Sequence, residues 1–92
     1  MTPKKPRPTT AFELEYSVEV DGVQVDTLHV RRPTVKDQLN FEEGKGTEGR
    51  RVVLMLAALC DVPPKSIEAL DAADFEGLSE VLKTFRSTQP ES

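Results

Sequence analysis

Cysteine occurs once in the 92 residues, so no internal disulfide can form and a reducing compartment is expected. Histidine also occurs once, and one of each gives no ligand spacing for a zinc site. Aromatic residues are only 5% of the chain. At 10.2 kDa that leaves a thin core, because small domains bury a lower fraction of their surface. Long apolar runs are missing as well. The longest, 52–60, spans nine residues, under half of a bilayer crossing. Residues 1–10 hold basic side chains with no apolar stretch behind them, so no secretory signal is expected. These shortages exclude a disulfide scaffold and a helical membrane protein. They leave little room for a cofactor domain and a substrate pocket, so an interaction protein without cofactor or metal is expected.

What is present is charge, at 30% of residues, unevenly placed. Lys4, Lys5 and Arg7 give the first ten residues +3. The other 82 carry 9 basic and 16 acidic groups, a balance of −7. A body of that sign repels phosphate backbones, which argues against nucleic-acid binding. The prolines of 1–10 and the absence of large apolar residues after Met1 predict a disordered basic arm.

From Phe12 the apolar period becomes two. Phe12, Leu14, Tyr16, Val18 and Val20 alternate with polar residues, which predicts a half-buried strand. Asp21-Gly22 suits a type I′ turn, and Val23, Val25 and Thr27 run back on the same face. The phase then slips to Leu28 and Val30, suggesting a bulge near Asp26-Thr27 or a strand covered on both sides towards its end. The hairpin over 12–30 must lie on other elements, because a lone hairpin is marginal in water. Pro33 ends the strand, Thr34 offers a helix N-cap and Asp37 suits the first turn. Val35 and Leu39, with Phe41 or Gln38, are expected to face inwards from a helix over about 34–43. A second helix, about 48–60, is apolar on all sides and should be central, or else present one face to a partner. Pro64 opens a short helix to about 70, with Ile67 and Leu70 towards the core. Asp71 caps the last helix, about 72–86, with Asp74 in its first turn. Its stripe of Phe75, Leu78, Leu82 and Phe85 has helical spacing. Residues 87–92 read as a disordered tail. The expected fold is α+β: one domain over 11–86, a hairpin followed by three or four helices.

Gly44-Lys45-Gly46-Thr47-Glu48-Gly49 matches a dinucleotide-binding pattern in letters only, since no strand precedes it and no βαβ unit can follow. It reads as a helix–helix loop. His29, Cys60, Asp61, Asp71 and Asp74 are the conceivable metal or nucleophile set. Each has a plainer role: a surface histidine, a small core cysteine, and aspartates where caps belong. Ser66, Ser79 and Ser87 have no base beside them in the pattern, and no active site can be assembled.

Two segments carry a resemblance. Val30-Arg31-Arg32-Pro33-Thr34-Val35-Lys36-Asp37 resembles the L-R-R-P-T-V-K-D segment of phage tail assembly chaperones of the Mu type. The run from Leu59 through Pro63, Ile67, Leu70 and Asp74 is similar to that family's L-x-x-x-P-x-x-I-x-x-L-x-x-x-D segment. The resemblance implies a non-catalytic assembly factor of the infected cell's cytoplasm. Its partner would be the long helical tape measure protein, kept soluble until tail tube protein polymerises around it. The factor itself would be missing from the finished virion. Contact residues are expected on helices at Val53, Leu56, Leu78, Leu82 and Phe85, with Arg31 and Arg32 orienting acidic groups of the partner. Self-association is left open. The rival readings are a minor connector protein of the tail and, further off, a small nucleic-acid-binding regulator.

Overall fold

Asp21 and Gly22 take φ angles of 52° and 84°, the left-handed pair that a type I′ turn needs. They join β1 (Thr9–Val20) to β2 (Val23–Arg31) in an antiparallel hairpin. Four helices follow: α1 (Val35–Glu43), α2 (Glu48–Cys60), α3 (Pro64–Glu68) and α4 (Ala72–Ser87). The arrangement, seen in a computed structural model describing residues 8–87, is α+β as expected.

β1 starts before residue 12, because Thr9 and Thr10 pair with Arg31 and Val30. These β-branched residues extend the strand into the segment expected to be disordered. The remainder of that arm, 1–7, and residues 88–92 of the expected tail lie outside the described residues.

The ladder is interrupted where the apolar phase slipped. It runs as far as Glu13 opposite Thr27 and resumes at Val18 opposite Val25. The extra residues are on β1, at 14–17, facing Asp26 alone. A bulge re-aims side chains, and here it corrects the expected alternation. Leu14 and Val18 are buried, while Tyr16, expected on the same face, is 64% exposed. On β2 the slipped phase is real, with Leu28 and Val30 both buried.

The bulge has an internal anchor. Both Asp74 carboxylate oxygens accept the Glu15 amide at 3.0 Å, and Oδ2 also accepts the Tyr16 amide at 3.3 Å. Asp74 sits in the first turn of α4 and is 3% exposed. Its neighbour Asp71 does the ordinary capping work, accepting the Ala73 amide at 3.0 Å. A second tie runs from the buried Ser66, whose hydroxyl donates to the Glu19 carbonyl at 2.8 Å and fastens α3 to β1.

α2 is central and packs against β2, α1, α3 and α4. Its Leu56 and Leu59 meet Val30, Ile67 and Leu78 in the most deeply buried part of the core. Asp61 stops α2 in the left-handed region, its amide donating to the Ala57 and Ala58 carbonyls. Aspartate tolerates that conformation better than most residues. α4 lies close to the start of β1, where a methyl group at Gly77 would come 2.5 Å from the Phe12 ring. That approach explains a glycine inside a helix, where it otherwise weakens the element.

α1 departs from expectation. Val35 and Leu39, expected to face inwards, are 74% and 47% exposed, and α1 contains no buried residue. Three contacts set its rotation instead. Thr34 and Asp37 form a capping box, Arg31 grips Asp37, and Arg51 donates to the Phe41 carbonyl at 3.2 Å. Phe41 and Gln38 are then half-buried, and the Val35–Leu39 edge is left outside.

Candidate partner-binding groove

The loop 44–47 brings α1 and α2 together. Gly44 is the C-cap of α1, Gly46 turns the chain at φ 95°, and the Thr47 hydroxyl accepts the Arg50 amide to cap α2. It is a helix–helix connection, as its sequence context indicated. Between the two helices lies a groove of about 220 Å³. Asp37, Asn40, Phe41 and Gly44 line it from α1 and its cap, and Arg51, Leu54, Met55 and Ala58 from α2. Each set follows the i, i+3, i+4, i+7 spacing of one helix face. Leu54 is 44% exposed at the rim, and Met55 is buried. Arg51 stacks over Phe41 with its guanidinium 5.0 Å from the ring centre, and its buried Nε has no hydrogen-bond partner.

Most of the residues expected to touch a partner are elsewhere. Leu56, Leu78, Leu82 and Phe85 belong to the core cluster, and Leu56 and Leu78 have no exposed surface. Val53 remains half-buried at the surface, in a shallow apolar recess with Phe75 and Leu70. Arg31 and Arg32 have internal work. Arg31 binds Asp37 in a two-pronged ion pair at 2.7 and 3.3 Å, and Arg32 lies 5.3 Å above the Phe85 ring. Arg50 pairs with Glu68. The groove residues were not singled out by sequence. Their signal was two short stripes in register across a glycine loop, hidden because every face of α2 is apolar.

The Arg31 hydrogen bond, with help from the Thr34 amide and hydroxyl, lowers Asp37 to about 2 from its ordinary 3.8. A depressed folded pKa adds stability above the ordinary value, and that stability is lost as pH falls from about 4 through 2. With Arg31 34% exposed, solvent screening holds the contribution to about 1–2 kcal/mol. Asp37→Asn should therefore be less stable than the parent by about that amount at neutral pH. The gap should close near pH 2 in urea unfolding.

The other titratable candidates lie apart. Burial pushes the Cys60 thiol up to about 11, so it packs as a neutral side chain. His29 is exposed on β2. Among the described residues no three of His, Cys, Asp or Glu could share a metal ion. No helix among them is long and apolar enough to cross a membrane.

A sequence model of the family described as "Phage tail assembly chaperone proteins, E, or 41 or 14" matches residues 11–87. The chain belongs to the phage tail assembly chaperone family. The match runs from the first strand to the end of α4, so the hairpin, the Asp74 anchor and the α1–α2 groove all belong to this chaperone's family region. A role in phage tail assembly follows, with tail proteins as partners. No curated protein and no solved structure matches the chain.

Proposed function

We propose that this chaperone, of the Mu type, binds amphipathic helices of the tape measure protein and keeps them soluble until the tail tube polymerises around them. It would act in the cytoplasm of the infected cell and be stripped off before the particle is complete. The observation that carries the reading is the α1–α2 groove, whose Phe41, Leu54, Met55 and Ala58 line a recess that no other described element fills. Helix-in-groove docking needs such an apolar trough. A recess of about 220 Å³ takes only one or two side chains, so each contact is weak. Many copies along one long chain would hold it by avidity and still release it.

Of the residues expected at the contact, Val53 keeps accessible surface, whereas Leu56, Leu78, Leu82 and Phe85 would require the core to open. The ion pair of Arg31 with Asp37 and the ring contact of Arg32 with Phe85 leave both arginines a secondary orienting role.

The test is co-expression with the cognate tape measure protein, followed by pull-down from the soluble fraction. The parent chain should carry that protein into solution. Leu54→Glu should lose the complex, with a drop in affinity of at least about tenfold, while its circular dichroism and melting temperature stay near those of the parent. If the parent neither binds nor solubilises the tape measure protein, the chaperone reading of its target fails. If Leu54→Glu binds as well as the parent, the target stands and the groove does not.

A further inference from the structure

The apolar edge of α1 lies outside the groove and is covered by nothing in the described fold. Val35 and Leu39 sit one turn apart, 74% and 47% exposed, on a helix with no buried residue. Lys36 and Glu43 are two turns apart and therefore share one flank of that edge. Both are exposed, and among the described residues neither has an ionic partner. Lys36 stands at the N-terminal end of α1 and Glu43 at its C-terminal end.

This pattern is complementary to itself when reversed. A two-fold axis that sets two copies of α1 antiparallel places Lys36 of one copy opposite Glu43 of the other, twice. Leu39 then meets its own equivalent at the axis. A surface of this kind suits an isologous contact, in which the same patch serves both subunits. We propose that the outer edge of α1 is a homodimer contact, joining two copies of this chain through Leu39, Val35 and two reciprocal Lys36–Glu43 pairs.

The contact is small. α1 has nine residues and is about 13 Å long, so the pairing buries less than the roughly 1,200 Å² at which stable interfaces begin. The dimer is consequently weak, with a dissociation constant of about 0.1–1 mM in free solution. Its effect is on valency. Two grooves held in one unit turn two weak contacts on a long helical chain into one bivalent contact. The dimer itself does not depend on the identity of that chain.

Sedimentation equilibrium of the purified chain from about 20 µM to about 1 mM reads this directly, without any second protein. The weight-average mass should rise from 10.2 kDa towards twice that value. Leu39→Glu, at an exposed position, should stay folded and remain at the monomer mass throughout. Lys36→Glu should weaken association at least about tenfold by setting like charges together, and adding Glu43→Lys to it should restore the parent value within about threefold. A parent chain that stays at 10.2 kDa at the highest concentration overturns the proposal. So does a dimer that survives both Leu39→Glu and Lys36→Glu, since its contact would then lie on another face. Because the tape measure protein is absent from the experiment, either failure leaves the chaperone reading to its own test.

Discussion

Asp74→Ala is expected to lower the free energy of unfolding by about 3 kcal/mol, several times the effect of Asp71→Ala three residues earlier. The two aspartates share one helix turn but have different partners. Asp71 is exposed and accepts an amide of its own helix, and losing such a cap costs about 1 kcal/mol. Asp74 is 3% exposed and holds the Glu15 and Tyr16 amides of a strand 59 and 58 positions away. Hydrogen bonds to a charged acceptor contribute about 1.5–3 kcal/mol, and donors left unsatisfied after truncation add a desolvation cost. Alanine removes the acceptor and leaves both amides facing a void. Asp74→Asn keeps one acceptor oxygen but turns an amide donor towards a donor, so it should fall between parent and alanine. Urea unfolding gives the stabilities. Hydrogen exchange gives the location, because the Glu15 and Tyr16 amides should lose protection ahead of the rest of β1. Exchange that is unchanged at those two amides would mean the bulge stands without its anchor.

The sequence was legible where structure is set by near neighbours. The Asp-Gly turn, the Thr34–Asp37 box and Pro64 at a helix start each depend on a few adjacent residues, and each is present. The central position of α2 is one of the two readings its unbroken apolar run allowed, the other being a face offered to a partner. Legibility stopped where a residue's role depends on something distant. Asp74 already had a sufficient local explanation in the first turn of α4, so nothing in the pattern pointed to a partner on β1. Val35 and Leu39 have the spacing of an inward face. Yet the Arg31–Asp37 and Arg51–Phe41 contacts fix the helix with that edge outside. For α2 the difficulty is reversed: when every face is apolar, the sequence carries no mark of which residues stay uncovered. Leu54 and Ala58 are exposed, while Leu56 and Leu59 beside them are buried. The contact residues expected on α2 and α4 were for this reason drawn mostly from the core.

Leu78→Ala should therefore act on stability and leave recognition alone. Leu78 has no exposed surface and packs in one cluster with Val30, Leu56 and Leu82. Truncating a leucine in such a setting costs about 3–5 kcal/mol, from lost transfer energy plus the cavity left behind. A domain of this size has about 5–10 kcal/mol in total, so the variant should melt well below the parent and be partly unfolded at 37 °C. Leu56→Ala should behave alike, and combining the two should depart from additivity, because both belong to one packed cluster. Leu54→Glu supplies the converse, since Leu54 is 44% exposed and touches the groove rather than the cluster. Chemical denaturation gives each variant's folded fraction, and binding to the proposed partner, the tape measure protein, is then expressed per folded molecule. On that scale Leu78→Ala should bind within about twofold of the parent, and Leu54→Glu at least about tenfold more weakly. The reverse pattern, with folded Leu78→Ala unable to bind, would mean that α4 leaves the core to meet its partner. The groove would then be a bystander. A core that opens in this way would have to give up the burial of Leu78, Leu82 and Phe85 together, a cost of several kcal/mol that the partner must return by covering the same residues. A groove on a closed core needs no such opening, and the two variants tell the arrangements apart.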